Sequence, residues 1–309
     1  MTDKSSIAVT ALSHQQTLIV DSSFQGQGAS VAVLMKTGAR DERQGESGIS
    51  HFLEHMVFKG TPNRSGMDIT LAFGDLGAQV NAYTSDEQTV FYGTVLNENA
   101  DALHDLLLDM MTPALDPEEF DMEKKVILEE IALYQDRPNF VLYERAICDF
   151  FGGRGVGQSV LGTTETVSEI TREQMASYVS RRYSAPNIII SMCGNLDADH
   201  YAQLTETRSG RLSMSAVEAS PISSPTSSGS ELVFHHKKNT QAHLLGLCRG
   251  PAANDNLVSK ILDGSGDDRR RCVQMRGGIF EQVRYKFREA QRALAPISQQ
   301  LAKLQRQIS

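Results

Sequence analysis

The sequence predicts an α+β fold in which helices pack on one face of an antiparallel sheet. Two observations predict this class. Apolar, β-branched segments of strand length occur in pairs, and amphipathic segments of helix length follow each pair. This order, with two strands before two helices and then again, is typical of sheets whose helices lie on one side rather than of alternating parallel units.

The first strand pair is predicted at residues 17–23 and 29–37, because both segments are apolar and are bounded by glycine and polar residues. A loop at residues 45–48 then leads into a helix that begins near Ser47 or Ser50. Its apolar residues recur at a spacing of three to four: Ile49, Phe52, Leu53 and Met56. A second helix is predicted at 66–76, where Gly77 ends it.

Residues 78–84 and 88–95 predict the second pair of strands, joined by a turn at Ser85-Asp86-Glu87. Three further helices are predicted, at 97–113, 117–135 and 165–182. The helix at 117–135 has a proline in its first turn and an apolar stripe made of Phe120, Val126, Ile127 and Ile131. Residues 187–194 predict one more, buried strand.

Composition changes near residue 210, and this change predicts the domain organisation. Residues 1–210 are expected to form the first domain. Residues 211–230 are rich in serine and contain two prolines, so they are expected to form a linker. Residues 231–309 begin with strand-like sequence and then become rich in arginine and glutamine, which favours only a partial second half.

The composition excludes several classes of protein. Apolar residues make up 40% of the 309 residues and charged residues 22%, as in soluble globular proteins. A net charge of −8 makes nucleic acid an unfavourable partner. The absence of a long apolar tract and of a secretory signal predicts no membrane partner and a cytoplasmic location. The four cysteines form no CxxC pair, so reduced, mostly buried thiols are expected.

The segment His51-Phe52-Leu53-Glu54-His55 is the main candidate for a chemical site. On a helix, residues four positions apart lie on the same face, so His51 and His55 can both bind one zinc ion. Glu54 shares that face as a carboxylate beside the metal, where it can activate the attacking water. This order of residues is the inverted form of the zinc peptidase motif.

A catalytic zinc site needs a third protein ligand and one open position. The helix at 117–135 offers several acids, of which Glu123 and Glu130 are two turns apart and face the same way. Glu130 is predicted as the ligand. Glu123 is predicted as a catalytic-site acid that supports a ligand or the metal charge. Glu129 is expected to face solvent.

A short pattern of two histidines and one glutamate also occurs by chance, on helices that carry surface histidines. Here the histidines alternate with apolar Phe52, Leu53 and Met56, which indicates a partly buried helix. Burying two imidazoles and a carboxylate without a partner is costly. A metal site is therefore the preferred interpretation.

Five ordered blocks across residues 15–200 resemble the pitrilysin/insulinase family of zinc peptidases, especially its mitochondrial-processing-peptidase-like branch. They are Gly38-Ala39-Arg40 with 48–61, then 77–84, 123–131, 161–165 and 183–195. The resemblance implies Zn²⁺ as cofactor and endopeptidase activity on extended peptides or unfolded segments. It also implies Glu130 as the third ligand, and a partial second domain related to the first after the linker.

The resemblance further implies that a peptide substrate binds as an extended strand at the sheet edge near 78–84, where Asn81 and Ala82 would hydrogen-bond to it. A structural amide at Asn81 is the alternative. Residues 237–247 resemble the start of the family's second half, but the Arg and Tyr that this half contributes to the site are not recognisable.

Three functions from different classes therefore stay open. The first is a zinc endopeptidase. The second is a non-catalytic or partner-dependent subunit, completed by a homologous subunit or by a second copy of the chain. The third is a different metal hydrolase that uses the same triad, and the strand block at 78–84 disfavours it.

Overall fold

The computed structural model describes residues 7–23, 26–210 and 212–215, together with the single positions 217, 233, 243, 245 and 247. These positions all lie within one compact unit, Met1–Leu247. The predicted linker at 211–230 and the predicted second half at 231–309 lie outside the described residues except at those few positions. The domain boundaries therefore stay predictions.

Among the described residues, the strands are β1 (Ile7–Ala11), β2 (Thr17–Asp21), β3 (Gly28–Met35), β4 (Gly60–Thr61), β5 (Arg64–Ser65), β6 (Gln79–Thr84), β7 (Thr89–Leu96) and β8 (Ile188–Cys193). The α-helices are α1 (Ile49–Val57), α2 (Gly66–Asp75), α3 (Ala100–Met110), α4 (Pro117–Gln135), α5 (Pro138–Phe151), α6 (Thr164–Glu169), α7 (Arg172–Arg182) and α8 (Ala198–Ser209). None of these helices has the length and apolar character needed to cross a membrane.

Six strands form one sheet in the order β1-β2-β8-β3-β7-β6, and this confirms the predicted α+β class. The sheet is mixed rather than wholly antiparallel, because β2 and β8 pair in parallel. The reason is geometric. Strand β8 returns after seven helices and inserts between β2 and β3, which run in opposite directions, so it must be parallel to one of them.

Several of the described elements differ from the predictions. Strand β1 was not predicted, although it pairs with β2 over five residues at the sheet edge. Helices α5 and α8 were also not predicted. The single helix predicted at 165–182 is two helices, because the side chain of Thr171 accepts the Gln174 N–H and starts α7 as a new helix.

The core lies between one face of the sheet and the helices. Burial alternates along β3, with Ala29, Val31, Val33 and Met35 all buried on the helix-covered side. On α4, Phe120, Ile127 and Ile131 are buried as predicted, but Val126 is 49% exposed and belongs to the outer face. Cys148 and Cys193 are free thiols, and both are exposed rather than buried.

Helix α1 lacks a capping side chain of its own, and Glu42 supplies one from outside the helix. The N-cap is Gly48, whose φ of 91° lies in the left-handed region and whose added Cβ would lie 2.7 Å from the Leu161 carbonyl oxygen. No larger residue fits there. Instead, the buried carboxyl group of Glu42 accepts the Gly48 and Ser50 N–H groups, each at 2.9 Å.

A second contact fixes the rotation of α1. The Ser50 hydroxyl lies 2.7 Å from the Tyr178 hydroxyl, which lies 3.0 Å from the Thr37 hydroxyl. Arg182 donates to the same Thr37 oxygen at 2.9 Å and pairs with Asp41 at 3.0 Å. This buried network joins α1 to α7 and to the end of β3, so the histidine-bearing helix has one fixed orientation.

The chain that leaves α1 is fastened to α3. Asp109 is 2% exposed and accepts the Thr61 hydroxyl at 2.9 Å and the Asn63 amide at 2.6 Å. It also pairs with Arg64 at 2.5 Å. Burial raises the pKa of Asp109, but these three donors outweigh it and the pKa is lowered. The β4–β5 hairpin therefore holds the C-terminal end of α1 in place.

Glu42 makes stability depend on pH in a definite direction. Burial raises its pKa from 4.5 to about 8, although the Ser50 and Gly48 donors oppose this. Because the folded protein binds this proton more tightly than the unfolded chain does, Glu42 contributes stability that is fully present below about pH 4.5. This contribution is lost as the pH rises through about 8. In urea unfolding, Glu42→Gln should therefore lose less stability than the wild type between about pH 5 and about pH 8. Parallel curves for the two proteins would contradict the assignment.

Candidate metal centre

Three predicted ligands converge between α1 and α4. The Nε2 atoms of His51 and His55 lie 3.8 and 3.7 Å from Oε2 of Glu130. One ligand atom from each residue lies within 4.8 Å of those of the other two. The two imidazoles come from adjacent turns of α1, with their rings edge to face at 4.8 Å, and the carboxylate comes from the facing helix.

This donor set fits a zinc ion. Zinc bonds of about 2.0–2.2 Å at tetrahedral angles place ligand atoms roughly 3.3–3.6 Å apart, so small side-chain movements would suffice. Burial first, and the neighbouring His55 second, lower the pKa of His51 to about 4. Its ring is therefore neutral at pH 7, the form that binds a metal.

The packing of α1 on α4 produces this convergence. The Phe52 ring stacks on the Phe120 ring at a centroid distance of 4.7 Å. Ile127 and Ile131 continue the buried side of α4, and both are at most 3% exposed. With these three α4 residues in the core, Glu123 and Glu130 lie toward the histidines, whereas Glu129 is exposed as expected.

Glu123 contacts a predicted ligand rather than the ligand cluster itself. Its Oε1 lies 2.8 Å from Nδ1 of His55, and its Oε2 lies 2.5 Å from Nζ of Lys59. Burial lowers the pKa of His55, but Glu123, Glu130 and Glu54 outweigh it and the pKa is raised. A carboxylate at Nδ1 fixes the ring and leaves Nε2 directed toward Glu130, so Glu123 is a support for a ligand.

Glu54 lies beside the cluster and is held from a different element. The Thr84 hydroxyl at the end of β6 donates to Oε2 of Glu54 at 2.6 Å. Burial raises the pKa of Glu54, partly opposed by the Thr84 hydrogen bond and by His55. A half-buried carboxyl group with a raised pKa has the proton affinity that a general base needs.

Strand β6, which carries Asn81 and Ala82, is an edge strand of the sheet. The Ala82 N–H donates to the Asn81 side-chain oxygen at 2.9 Å. The Asn81 amide oxygen therefore accepts the hydrogen bond of a main-chain N–H of the edge strand. This contact was not predicted from the sequence. Contacts between α1 and β6 place this edge beside the histidine helix.

Three residues that fix the position of the site were not predicted from the sequence: Glu42, Lys59 and Thr84. Lys59 is four residues after His55, so both side chains lie on one side of the chain as it leaves α1 and can reach the same carboxylate. That spacing was a usable signal. Glu42 and Thr84 act across the fold, and no local spacing reveals them.

Two protein-family models match this chain. The model described as "Insulinase (Peptidase family M16)" matches residues 17–164. The model described as "Peptidase M16 inactive domain" matches residues 169–263. The chain belongs to peptidase family M16. The predicted pitrilysin/insulinase resemblance is thus confirmed at the level of the family.

Individual relatives agree with the family assignment. An "Uncharacterized zinc protease" of Rickettsia felis is 38% identical over 177 residues, which are 57% of this M16 chain and 43% of the relative. "Uncharacterized zinc protease YmxG" of Bacillus subtilis is 32% identical over 228 residues, 74% of this chain and 55% of the relative. This chain spans about half the length of these relatives.

A crystal structure of a protease from Helicobacter pylori has the same fold, with a TM-score of 0.65 at 24% identity. The match covers 71% of this chain and 53% of the other. Pitrilysin gives a TM-score of 0.64 at 19% identity, over 72% of this chain and 25% of the other. Both comparisons support the fold described above.

Removing the acid behind His55 should weaken metal binding without abolishing it. Glu123→Gln removes the charged acceptor at His55 Nδ1, and losses of this kind cost about 10- to 100-fold in metal affinity. Competition titration of the metal-free protein with a zinc chelator measures the affinity. Glu129→Gln on the exposed face of the same helix is the matched control and should bind zinc like the wild type. Equal affinities for all three proteins would contradict the support by Glu123.

Proposed function

We propose that this chain is a zinc-dependent endopeptidase that hydrolyses peptide bonds in extended peptides or unfolded segments. The observation that carries the proposal is the convergence of two imidazoles and one carboxylate beside the half-buried Glu54. His51, His55 and Glu130 would hold the ion. When bound, zinc would act there as a Lewis acid that lowers the pKa of its bound water to about 7 and polarises the peptide carbonyl.

Glu54 is the general base of this proposal. Its carboxylate takes a proton from the attacking water and then gives that proton to the leaving amine, so the scissile C–N bond breaks as a C–O bond forms. The raised pKa of Glu54 supports both transfers, because its carboxylate has a higher proton affinity than that of an exposed glutamate. Glu123 and Lys59 keep His55 oriented and take no part in proton transfer.

The substrate would be held as an added strand at β6. As an edge strand, β6 has one side that no other strand of the described residues covers. The Ala82 N–H is directed to a side-chain oxygen instead of to β7, so it is a donor that a peptide carbonyl can take over. Asn81 would release that donor when substrate arrives and then offer its own amide to the peptide.

The proposal also covers the branch of the family, the cellular location and the partner. The blocks around residues 48–61 and 77–84 support placement in the mitochondrial-processing-peptidase-like branch of the family. A cytoplasmic location is also part of the proposal. A homologous subunit or a homodimer is the proposed partner.

The alternative is a partner-dependent or non-catalytic subunit. One observation favours it: residues 169–263 match a model described as an inactive domain. Zinc binding with cleavage only after a homologous chain is added would support this alternative. Cleavage by the purified chain alone would exclude it.

Glu54→Gln should abolish cleavage and retain the metal, because it removes the base and leaves all three ligands in place. We expect a loss of about 10²- to 10⁴-fold in kcat for an unstructured peptide, with zinc content unchanged from the wild type by atomic absorption. Glu129→Gln serves as the control for a surface glutamate. Undiminished cleavage by Glu54→Gln with zinc bound would show that another group is the base.

Substrate pairing with β6 can be tested without altering the protein. Peptide substrates carrying a single N-methyl group lose one main-chain donor, and the methyl group also blocks strand pairing. Methylation near the scissile bond at positions that pair with β6 should raise KM, whereas methylation several residues away should not. Insensitivity of KM at every position would contradict binding as an added strand.

A further inference from the structure

The hydrogen bond from Thr84 to Glu54 joins two parts of the proposed site that come from different elements. Glu54 lies on α1 between the two histidines, whereas Thr84 is the last residue of β6. The bond is 2.6 Å long, and the acceptor is Oε2 of the carboxylate. Among the described residues, Thr84 makes no hydrogen bond to either histidine or to Glu130. Within the proposed site it hydrogen-bonds to Glu54, and its hydroxyl also lies 3.5 Å from the Thr89 hydroxyl.

The position of Thr84 is fixed from behind by the β6–β7 turn. Ser85 N–H donates to the Gln88 carbonyl at 2.8 Å, closing the turn directly after Thr84. The Ala39 N–H donates to the Ser85 carbonyl at 3.2 Å, and the Arg40 N–H donates to the Asp86 carbonyl at 2.9 Å. The main chain of the turn is therefore bound to the segment that precedes α1.

The close approach of these two segments has a clear sequence requirement. A Cβ at Gly38 would lie 2.2 Å from the Ser85 carbonyl oxygen, so only glycine fits. On the other side, Thr84 pairs in register with Thr89, whose buried hydroxyl donates to the Thr37 carbonyl at 3.1 Å. Hydrogen bonds thus fix the end of the β6–β7 hairpin, which carries Thr84, at several points. A residue that orients another side chain needs such a rigid position.

We propose that Thr84 is a positioning residue whose hydroxyl holds Oε2 of Glu54 and so directs the other carboxylate oxygen to the attacking water. This inference rests on the proposed function. A glutamate side chain has three rotatable bonds, and a base that points away from its proton acts only in the fraction of time in which it points correctly. One short hydrogen bond from a fixed hydroxyl restricts that motion.

The same contact links base and substrate. Thr84 and Ala82 are two residues apart on β6, so their side chains lie on the same side of the strand. A peptide paired with β6 would therefore have its register set by the strand that also holds the base. The position of the scissile bond relative to Glu54 then depends on one hairpin and not on two independent elements.

The test uses isosteric variants of the full chain. Thr84→Val removes the hydroxyl and keeps the shape, whereas Thr84→Ser keeps the hydroxyl. We expect kcat for Thr84→Val to fall about 10- to 100-fold, with KM and zinc content unchanged, and Thr84→Ser to stay near the wild type. Thr94→Val is the matched control, since the Thr94 hydroxyl on β7 lies 2.9 Å from the Ser30 hydroxyl on the exposed sheet face, away from Glu54.

A second readout does not depend on activity. In metal-free protein labelled with ¹³C at glutamate carboxyl groups, the resonance absent from Glu54→Gln belongs to Glu54. At one fixed pH, Thr84→Val should shift that resonance, and Thr94→Val should leave it in place. An unshifted resonance, or a wild-type kcat in Thr84→Val, would overturn the proposal. Equal impairment of Thr84→Ser and Thr84→Val would also overturn it, because the hydroxyl would then not be the cause.

The two proposals fail in different ways. If neither the wild type nor Glu54→Gln hydrolyses peptide, the proposed function is wrong, and the carboxyl resonance still decides whether Thr84 holds Glu54. If Glu54→Gln is inactive while Thr84→Val has wild-type kcat, the proposed function stands and the role of Thr84 is wrong.

Discussion

The packing of α1 against α4 is the contact on which the whole site depends. Phe52 and Phe120 stack at its centre, and the buried isoleucines of α4 fix which side of that helix faces inward. Because a helix turns through about 100° per residue, burying this stripe also determines where Glu123 and Glu130 point. The ligand set is therefore a consequence of core packing: hydrophobic burial aligns the helices, and the polar groups occupy the space left between them.

The remaining parts keep α1 from shifting relative to its surroundings. Glu42 and Tyr178 hold its N-terminal end, Asp109 holds the hairpin after its C-terminal end, and Thr84 holds Glu54, the proposed base. A zinc site needs its ligands within a few tenths of an ångström of their final places, and flexible side chains on a mobile helix cannot supply this. Buried hydrogen-bond networks give orientation where apolar packing gives only proximity.

Local sequence patterns predicted most of the elements, and the three candidate ligands that they single out lie close together in the structure, for a physical reason. The spacing of His51 and His55, and the seven-residue interval from Glu123 to Glu130, are properties of single helices. The same patterns misplaced Val126, because an apolar residue on the outer face looks like a core residue in sequence. They also predicted α6 and α7 as one helix, because a threonine N-cap is a weaker signal of a helix end in the sequence than a proline or glycine.

Contacts between distant segments were out of reach of such patterns. The parallel pairing of β2 with β8 follows from where the last strand inserts, which depends on the tertiary fold. Glu42 lies six residues before Gly48 and reads as a surface acid in sequence, yet it is buried as the cap of α1. Thr84 lies 30 residues from Glu54 and reads as an ordinary strand residue.

The central claim is that one zinc ion is bound by side chains of two helices. X-ray absorption at the zinc edge of the purified full chain tests this claim most directly. The expected result is one zinc per chain with two imidazole nitrogens at about 2.0–2.1 Å and carboxylate oxygen at about 2.0–2.2 Å, with the carboxylate signal lost in Glu130→Gln. Zinc bound by sulfur, or an unchanged spectrum in Glu130→Gln, would contradict it.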